Sequence, residues 1–160
     1  ETIAALTRDR IRRVGVALEA QLWHRDLGFR SLKIDTMNFA DILRTPDQLL
    51  QDTLDSLTGS ILEDRSAEDL LFQVLLDWGL DLSLSITREV FVGADTYSVD
   101  NDALIACFAD TVPDEVVQAI AKRRPLRAVF KDSGFVSDAA RINAEQIFRE
   151  VSPETEVRAI

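Results

Sequence analysis

The fold is decided by residues 104–130, LIACFADTVPDEVVQAIAKRRPLRAVF. The apolar runs 104–108 and 126–130 have the length and composition of strands that are buried on both faces. Between them, a polar start at Thr111 followed by Pro113 predicts a capped helix that continues to Ala121. A strand, a helix and a strand joined by short loops predict a right-handed crossover between parallel strands.

The same pattern continues to residue 160. Ser137 is placed to cap a helix that runs through 148, and residues 157–160 predict a last strand. Together with the preceding crossover, these elements make a βαβαβ unit, that is, a parallel sheet covered by helices.

Upstream, the pattern changes to that of an antiparallel hairpin. Residues 82–92 alternate as a strand does, and 97–99 and 103–108 are separated by Asp-Asn-Asp at 100–102, residues that tolerate turn dihedrals. We therefore predict an α/β fold in three layers, with a mixed sheet that combines this hairpin with the parallel βαβαβ unit.

The first segment predicts a long amphipathic helix that ends near Trp23. Its apolar stripe consists of Ile3, Thr7, Ile11, Val14, Leu18 and Leu22. Because such a stripe must be buried in the chain's own core or against another chain, we take Ile11, Val14, Leu18 and Leu22 as a candidate interface. The flanking arginines Arg8, Arg12 and Arg13 leave a minor DNA clamp as a further hypothesis, although a solvated rim explains them more simply.

Between these parts we predict a short strand at 29–34, a helix from a cap at Thr45 through 57, and a helix that begins after Ser66 and ends at Gly79. The length suits one domain. The expected organisation is therefore a single domain, 1–160, with a leading amphipathic helix (1–25), a strand and acidic helices (26–80), and the sheet with its crossover helices (81–160).

Composition excludes several classes of protein. The formal net charge of −10 argues against unaided binding to nucleic acid, where Lys and Arg supply most of the affinity. The single cysteine, Cys107, cannot form an intramolecular disulfide, which fits a reducing cytosol. No apolar run approaches the length of a membrane span, so we expect no membrane association and a cytoplasmic location.

Catalytic and metal-binding patterns are weak in this sequence. The only histidine, His24, follows Trp23 near a helix end, and Cys107 sits in an apolar strand where a cysteine behaves as a small buried hydrophobe. One Cys and one His cannot make a zinc site, and the six glycines form neither a dinucleotide-binding loop nor a P-loop. We predict no catalytic, cofactor-binding or metal-binding residue in the chain.

The most distinctive local string is KDSGF at 131–135, at the carboxyl end of a predicted parallel strand, where open α/β sheets usually bind ligands. This makes Asp132 and Ser133 candidate ligand residues, and a small-molecule or nucleotide-binding module is the alternative function. The competing interpretation is a tight strand-to-helix turn. The basic residues Lys122, Arg123, Arg124 and Arg127 are interpreted as charges that complement a helix carboxyl terminus.

Several strings in order resemble the C-terminal region of type III restriction-modification DNA methyltransferases, the Mod subunits, over essentially the whole chain. They are RDRIRRV (8–14), GFRSLKID (28–35) with NF (38–39), AEDLLF (67–72), YSV (97–99) with DALIAC (102–107), DSGF (132–135), and NAEQIF (143–148).

The resemblance implies a parent enzyme that uses S-adenosylmethionine to methylate adenine, and that works as a Mod dimer joined to a Res translocase-nuclease. In that family the catalytic and target-recognition domains precede this region, and this sequence contains neither the Asp-Pro-Pro-Tyr motif nor the FxGxG loop. The start at Glu1 fits either a processed protein or, more often, a domain taken from a longer chain. We therefore expect a non-catalytic dimerisation and assembly domain, with DNA bound by the rest of the parent protein.

Overall fold

The computed structural model describes residues 2–19, 28–39, 61–62 and 64–160. The chain comprises two compact units, Glu1–Thr36 and Met37–Ile160.

The first unit contains helix α1, Ile3–Glu19. Thr2 begins it, because its hydroxyl accepts a hydrogen bond from the amide of Ala5 at 3.3 Å. An ion pair between Arg13 and Asp9, one turn apart, lies on its surface at 2.7 Å. The predicted end near Trp23, as well as Leu22, lies outside the described residues.

The strand predicted at 29–34 is wrong, since residues 28–37 have no regular secondary structure. A strand needs a neighbour for its backbone hydrogen bonds and a surface for its apolar face. Within the described ranges no strand pairs with this segment, and the side chain of Ile34 is 99% exposed. The alternation of apolar and polar residues was therefore not sufficient to produce a strand here.

The second unit is built on a five-stranded mixed sheet in the order β1-β2-β3-β4-β5. Its strands are β1 (Ile86–Phe91), β2 (Ala94–Val99), β3 (Leu104–Cys107), β4 (Arg127–Phe130) and β5 (Glu156–Ala159). β1, β2 and β3 pair antiparallel, whereas β3, β4 and β5 pair parallel. This is the predicted combination of a hairpin with a βαβαβ unit.

Among the described residues, three helices cover the two faces of the sheet: α2 (Ala67–Asp77), α3 (Asp114–Arg123) and α4 (Asp138–Val151). α2 packs on one face, where its leucines meet Leu104, Ala106 and Val129. α3 and α4 pack on the other, against Ile105 and Phe130. The three-layer α/β arrangement is therefore confirmed.

Sequence-predicted caps begin two of these helices. Ser66 and Asp69 form a reciprocal capping box at the start of α2, and the Ser137 hydroxyl accepts from the amide of Ala140 at the start of α4. Gly79 follows α2 in the left-handed conformation, at φ +63°, as predicted for a helix end. The helix predicted from a cap at Thr45 lies outside the described residues.

Two element starts were predicted too early. α3 begins at Asp114 rather than after Thr111, because a residue before proline is pushed out of the helical region and Pro113 itself is extended. Strand β1 begins at Ile86 rather than 82. The preceding residues form a turn in which the carboxylate and carbonyl of Asp81 accept from the amides of Ser83 and Leu84.

Candidate functional site

The candidate interface on α1 is accessible in this chain. Ile11 is 42% exposed and Val14 is 57% exposed, while Leu18 is half-buried. Leu22, the fourth residue of the candidate interface, lies outside the described residues. The structure thus brings Ile11, Val14 and Leu18 onto one helical face and leaves most of that face open.

The arginines beside this stripe are partly engaged within the first unit. Arg13 pairs with Asp9, and an Nη atom of Arg8 donates to the Ser31 hydroxyl at 3.2 Å. Arg8 and Arg13, two of the three arginines of the hypothetical DNA clamp, are therefore already engaged in contacts within the chain.

The candidate ligand turn is a single turn of 3-10 helix, Asp132–Gly134, directly after β4. It lies where the parallel strands β3, β4 and β5 end, because the amide of Lys131 donates to the Cys107 carbonyl and the amide of Asp132 donates to that of Ile160. Asp132 and Ser133 are both exposed at this edge. The predicted position at the carboxyl ends of the strands is therefore correct.

Most polar groups of the turn already have partners inside the chain. The amides of Asp132, Gly134 and Phe135 all donate to backbone carbonyls, and the Asp132 carboxylate pairs with Arg141 at 3.0 Å. Gly134 is buried against the 109–112 loop, and its carbonyl accepts from the amide of Val112. An anion cradle needs several free amides pointing at one spot, so these contacts favour the structural interpretation of the turn.

Lys131, next to this turn, also has a partner within the chain. Nζ of Lys131 lies 2.6 Å from the Asp110 carboxylate. This hydrogen bond lowers the pKa of Asp110 from its ordinary value. The pair ties the end of β4 to the loop after β3.

Cys107 is fully buried at the end of the central strand β3, within the core that α3 and α4 cover. Burial raises the pKa of its thiol, because the charged thiolate would lose its hydration there. The side chain therefore acts as the predicted small hydrophobe. His24 lies outside the described residues.

Three residues of the basic cluster, Lys122, Arg123 and Arg124, lie at the end of α3 as predicted, whereas Arg127 lies on β4. Lys122 and Arg123 occupy the last turn of the helix, and Arg123 donates both to Asp102 and to Glu89 on β1. The guanidinium of Arg127 lies 4.9 Å from the centre of the Trp78 ring. These contacts could not be predicted, since they depend on which strands become neighbours.

Sequence reasoning missed a cleft of about 320 Å³ between α4 and β5. It is lined by Glu145, Phe148, Arg149, Ser152, Pro153, Thr155 and Val157. The only signal in the sequence was the alternation of opposite charges along these two elements, Glu145 with Arg149 and Glu156 with Arg158. That signal is ambiguous until the strand order is known.

Within the described ranges, no three His, Cys, Asp or Glu side chains are grouped as a metal ion would require. None of the described helices has the length and apolarity needed to cross a membrane. In comparisons with known proteins, no family model and no curated protein matches the chain.

Proposed function

We propose that this chain is the non-catalytic C-terminal domain of a type III restriction-modification DNA methyltransferase, an adenine-specific Mod subunit, and that it acts in Mod dimerisation and assembly with Res. The ordered strings that resemble this family over essentially the whole chain support the parentage. The observation that carries the assembly role is the open apolar face of α1, where Ile11 and Val14 are exposed. An amphipathic helix with an uncovered face is typical of a protein docking site.

In this proposal S-adenosylmethionine, DNA and the methyl-transfer chemistry belong to the preceding domains of the parent enzyme. The net charge of −10 supports a protein partner for this domain rather than DNA. The cytoplasm is the proposed location, as for a restriction-modification enzyme. Transfer of methyl groups to DNA by the isolated chain would contradict this division of roles.

The assembly role is tested by charging the α1 stripe. Val14→Asp should weaken association of the chain with a second copy or with purified Res, measured by sedimentation velocity and by a binding titration. Val16→Asp is the matched control, because Val16 is a valine of similar exposure, 68%, on the opposite face of the same helix. Equal behaviour of the two variants towards both partners would contradict the proposal.

The alternative is a small-molecule or nucleotide-binding module at the 131–135 turn, favoured by the exposure of Asp132 and Ser133 at the carboxyl edge of the sheet. A ligand at a hundredfold excess over its dissociation constant would stabilise the chain by about 2.7 kcal/mol. Thermal unfolding with S-adenosylmethionine and with nucleotides separates the two functions, since the assembly role requires no such shift.

A further inference from the structure

Strand β5 forms an open edge of the sheet. The amides of Glu156 and Ile160 donate to the carbonyls of Leu126 and Phe130, so the backbone of these residues faces β4. Because successive residues of a strand point their backbone groups to opposite sides, Val157 and Ala159 direct theirs away from β4. In the described part of the chain, no strand lies beyond β5. An edge of this kind is a template for another strand.

The charges along this edge have a self-complementary order. Glu156 and Arg158 flank Val157 on the strand, and Glu145 and Arg149 lie one turn apart on α4 beside the cleft. Each pair carries one acidic and one basic residue. A two-fold axis through Val157 would place Glu156 of one copy opposite Arg158 of the other, twice.

These ion pairs are loosely made inside the chain. Glu156 lies 3.4 Å from Arg127 and 3.7 Å from Arg158, and Glu145 lies 3.8 Å from Arg149. Apart from Arg127, whose side chain is about one third exposed, these side chains are more than half exposed, where such pairs contribute little to stability. The guanidinium of Arg158 also lies 5.2 Å from the centre of the Trp78 ring. A partner therefore has to compete only with long ion pairs and with this ring contact.

The opposite edge of the sheet differs. On β1, Arg88 makes a two-pronged contact with Asp95 at 3.2 and 2.7 Å, and Glu89 is bound by Arg123. The charges of β1 are thus held by short contacts, whereas the ion pairs of Glu156 on β5 are 3.4 Å or longer. This contrast selects β5 as the edge that meets a partner.

We propose that β5 and α4 form a two-fold interface through which two copies of this chain join their sheets edge to edge. Val157 of each copy exchanges two backbone hydrogen bonds with Val157 of the other, and Glu156 pairs with Arg158 across the axis. The two α4 helices lie on the same face of the joined sheet and pair Glu145 with Arg149. The inference rests on the proposed function only in taking a second copy as the partner, and it adds a contact at β5 and α4 to the one proposed for α1.

Charge reversal tests the interface on the 160-residue chain by sedimentation equilibrium. Glu156→Arg or Arg158→Glu alone would set like charges opposite each other twice, and should weaken the dimer about tenfold or more. The double variant restores opposite charges and should dimerise like the wild type. A mixture of the two single variants should form a heterodimer, because one carries only basic and the other only acidic residues at these positions.

Circular dichroism and thermal melts check that each variant folds. Should the β5 variants unfold, Glu145→Arg and Arg149→Glu on the exposed side of α4 provide the same single, double and mixed series. A monomeric wild type, or single reversals that leave the dimer unchanged, would overturn the inference. A dimer lost in Val14→Asp but kept in Glu156→Arg would overturn it too, while leaving the proposed assembly role intact.

Discussion

The carbonyl oxygen of Ala109 occupies the space that a side chain at Gly134 would need: a Cβ built on Gly134 would lie 2.5 Å from it. The same Cβ would lie 3.0 Å from a methyl group of Val112. Since Ala109 presents a backbone atom, relief requires a movement of the loop after β3. The glycine of the 131–135 turn is therefore required by packing between two strand-to-helix connections.

Gly134→Ala should destabilise the chain by about 2 kcal/mol, in the range of overpacked cores. Urea denaturation measures the change. Ser133→Ala, at the exposed neighbouring position, should stay within about 0.5 kcal/mol of the wild type. Similar losses for the two variants would contradict the packing role of Gly134.

In the hairpin between β1 and β2, a β-branched residue occupies a turn position with positive φ. Val92 and Gly93 both have positive φ, +49° and +87°, the arrangement of a type I′ turn. A β-branched residue is strained in this region, whereas asparagine tolerates it. Because Val92 is exposed, Val92→Asn should raise stability by about 1 kcal/mol. The control is Val90→Asn at an exposed strand position, which should not raise the midpoint of thermal unfolding. An unchanged or lower midpoint for Val92→Asn would show that the turn is unstrained.

Arg123 ties three elements together. From the end of α3 it donates to Glu89 on β1 and to Asp102 in the turn before β3, and its guanidinium lies 5.4 Å from the centre of the Phe91 ring. The hydrogen bonds to the two carboxylates raise the pKa of Arg123 from its ordinary value.

Because the side chain is about one third exposed, solvent screens part of this interaction. We expect Arg123→Ala to lose about 1 to 2 kcal/mol, mostly through the two charge-assisted hydrogen bonds. The neighbouring Lys122→Ala should be nearly neutral. A double-mutant cycle with Glu89→Gln measures the coupling, and strict additivity would argue against the network.

The capping box of α2 makes stability depend on pH. The Asp69 carboxylate accepts from the hydroxyl and the amide of Ser66, and these hydrogen bonds lower the pKa of Asp69 from its ordinary value in the folded chain. A lowered pKa stabilises the folded state above the unfolded-state pKa, and this stabilisation is lost as pH falls through the folded-state value.

Asp69→Asn should therefore cost about 1 kcal/mol at neutral pH, and the difference from wild type should shrink below about pH 4. Denaturation across pH 2.5 to 7 measures it. The adjacent Glu68→Gln serves as the reference, with a smaller effect. A difference that is constant over the whole pH range would exclude the proposed link.

The parts of the fold that the sequence predicted are those set by local rules. The apolar run 104–108, which contains strand β3, is buried because the sheet is covered on both faces, and Ser66 and Ser137 cap helices through contacts three residues away. The strand predicted at 29–34 failed because a strand requires a partner, and alternation alone does not supply one.

The candidate site was predictable to the same degree. The position of Asp132 follows from strand order, but its bonds to Ile160 and Arg141 do not, since they depend on the neighbouring strand and on the orientation of α4. The charges of Glu156 and Arg158 were visible in the sequence, yet their place on a sheet edge was not. Both the contacts of Asp132 and the placement of Glu156 and Arg158 depend on residues that are far apart in the sequence.

Because Cys107 is buried, the rate at which its thiol can be labelled reports how often the core opens. This is the only cysteine of the sequence, it lies in the central strand, and none of its surface is accessible. A thiol-reactive dye can reach it only in molecules whose sheet has separated from α3 and α4. The labelling rate of unmodified protein thus reports how often the core opens, and a partner that clamps the sheet would slow that rate without touching the cysteine.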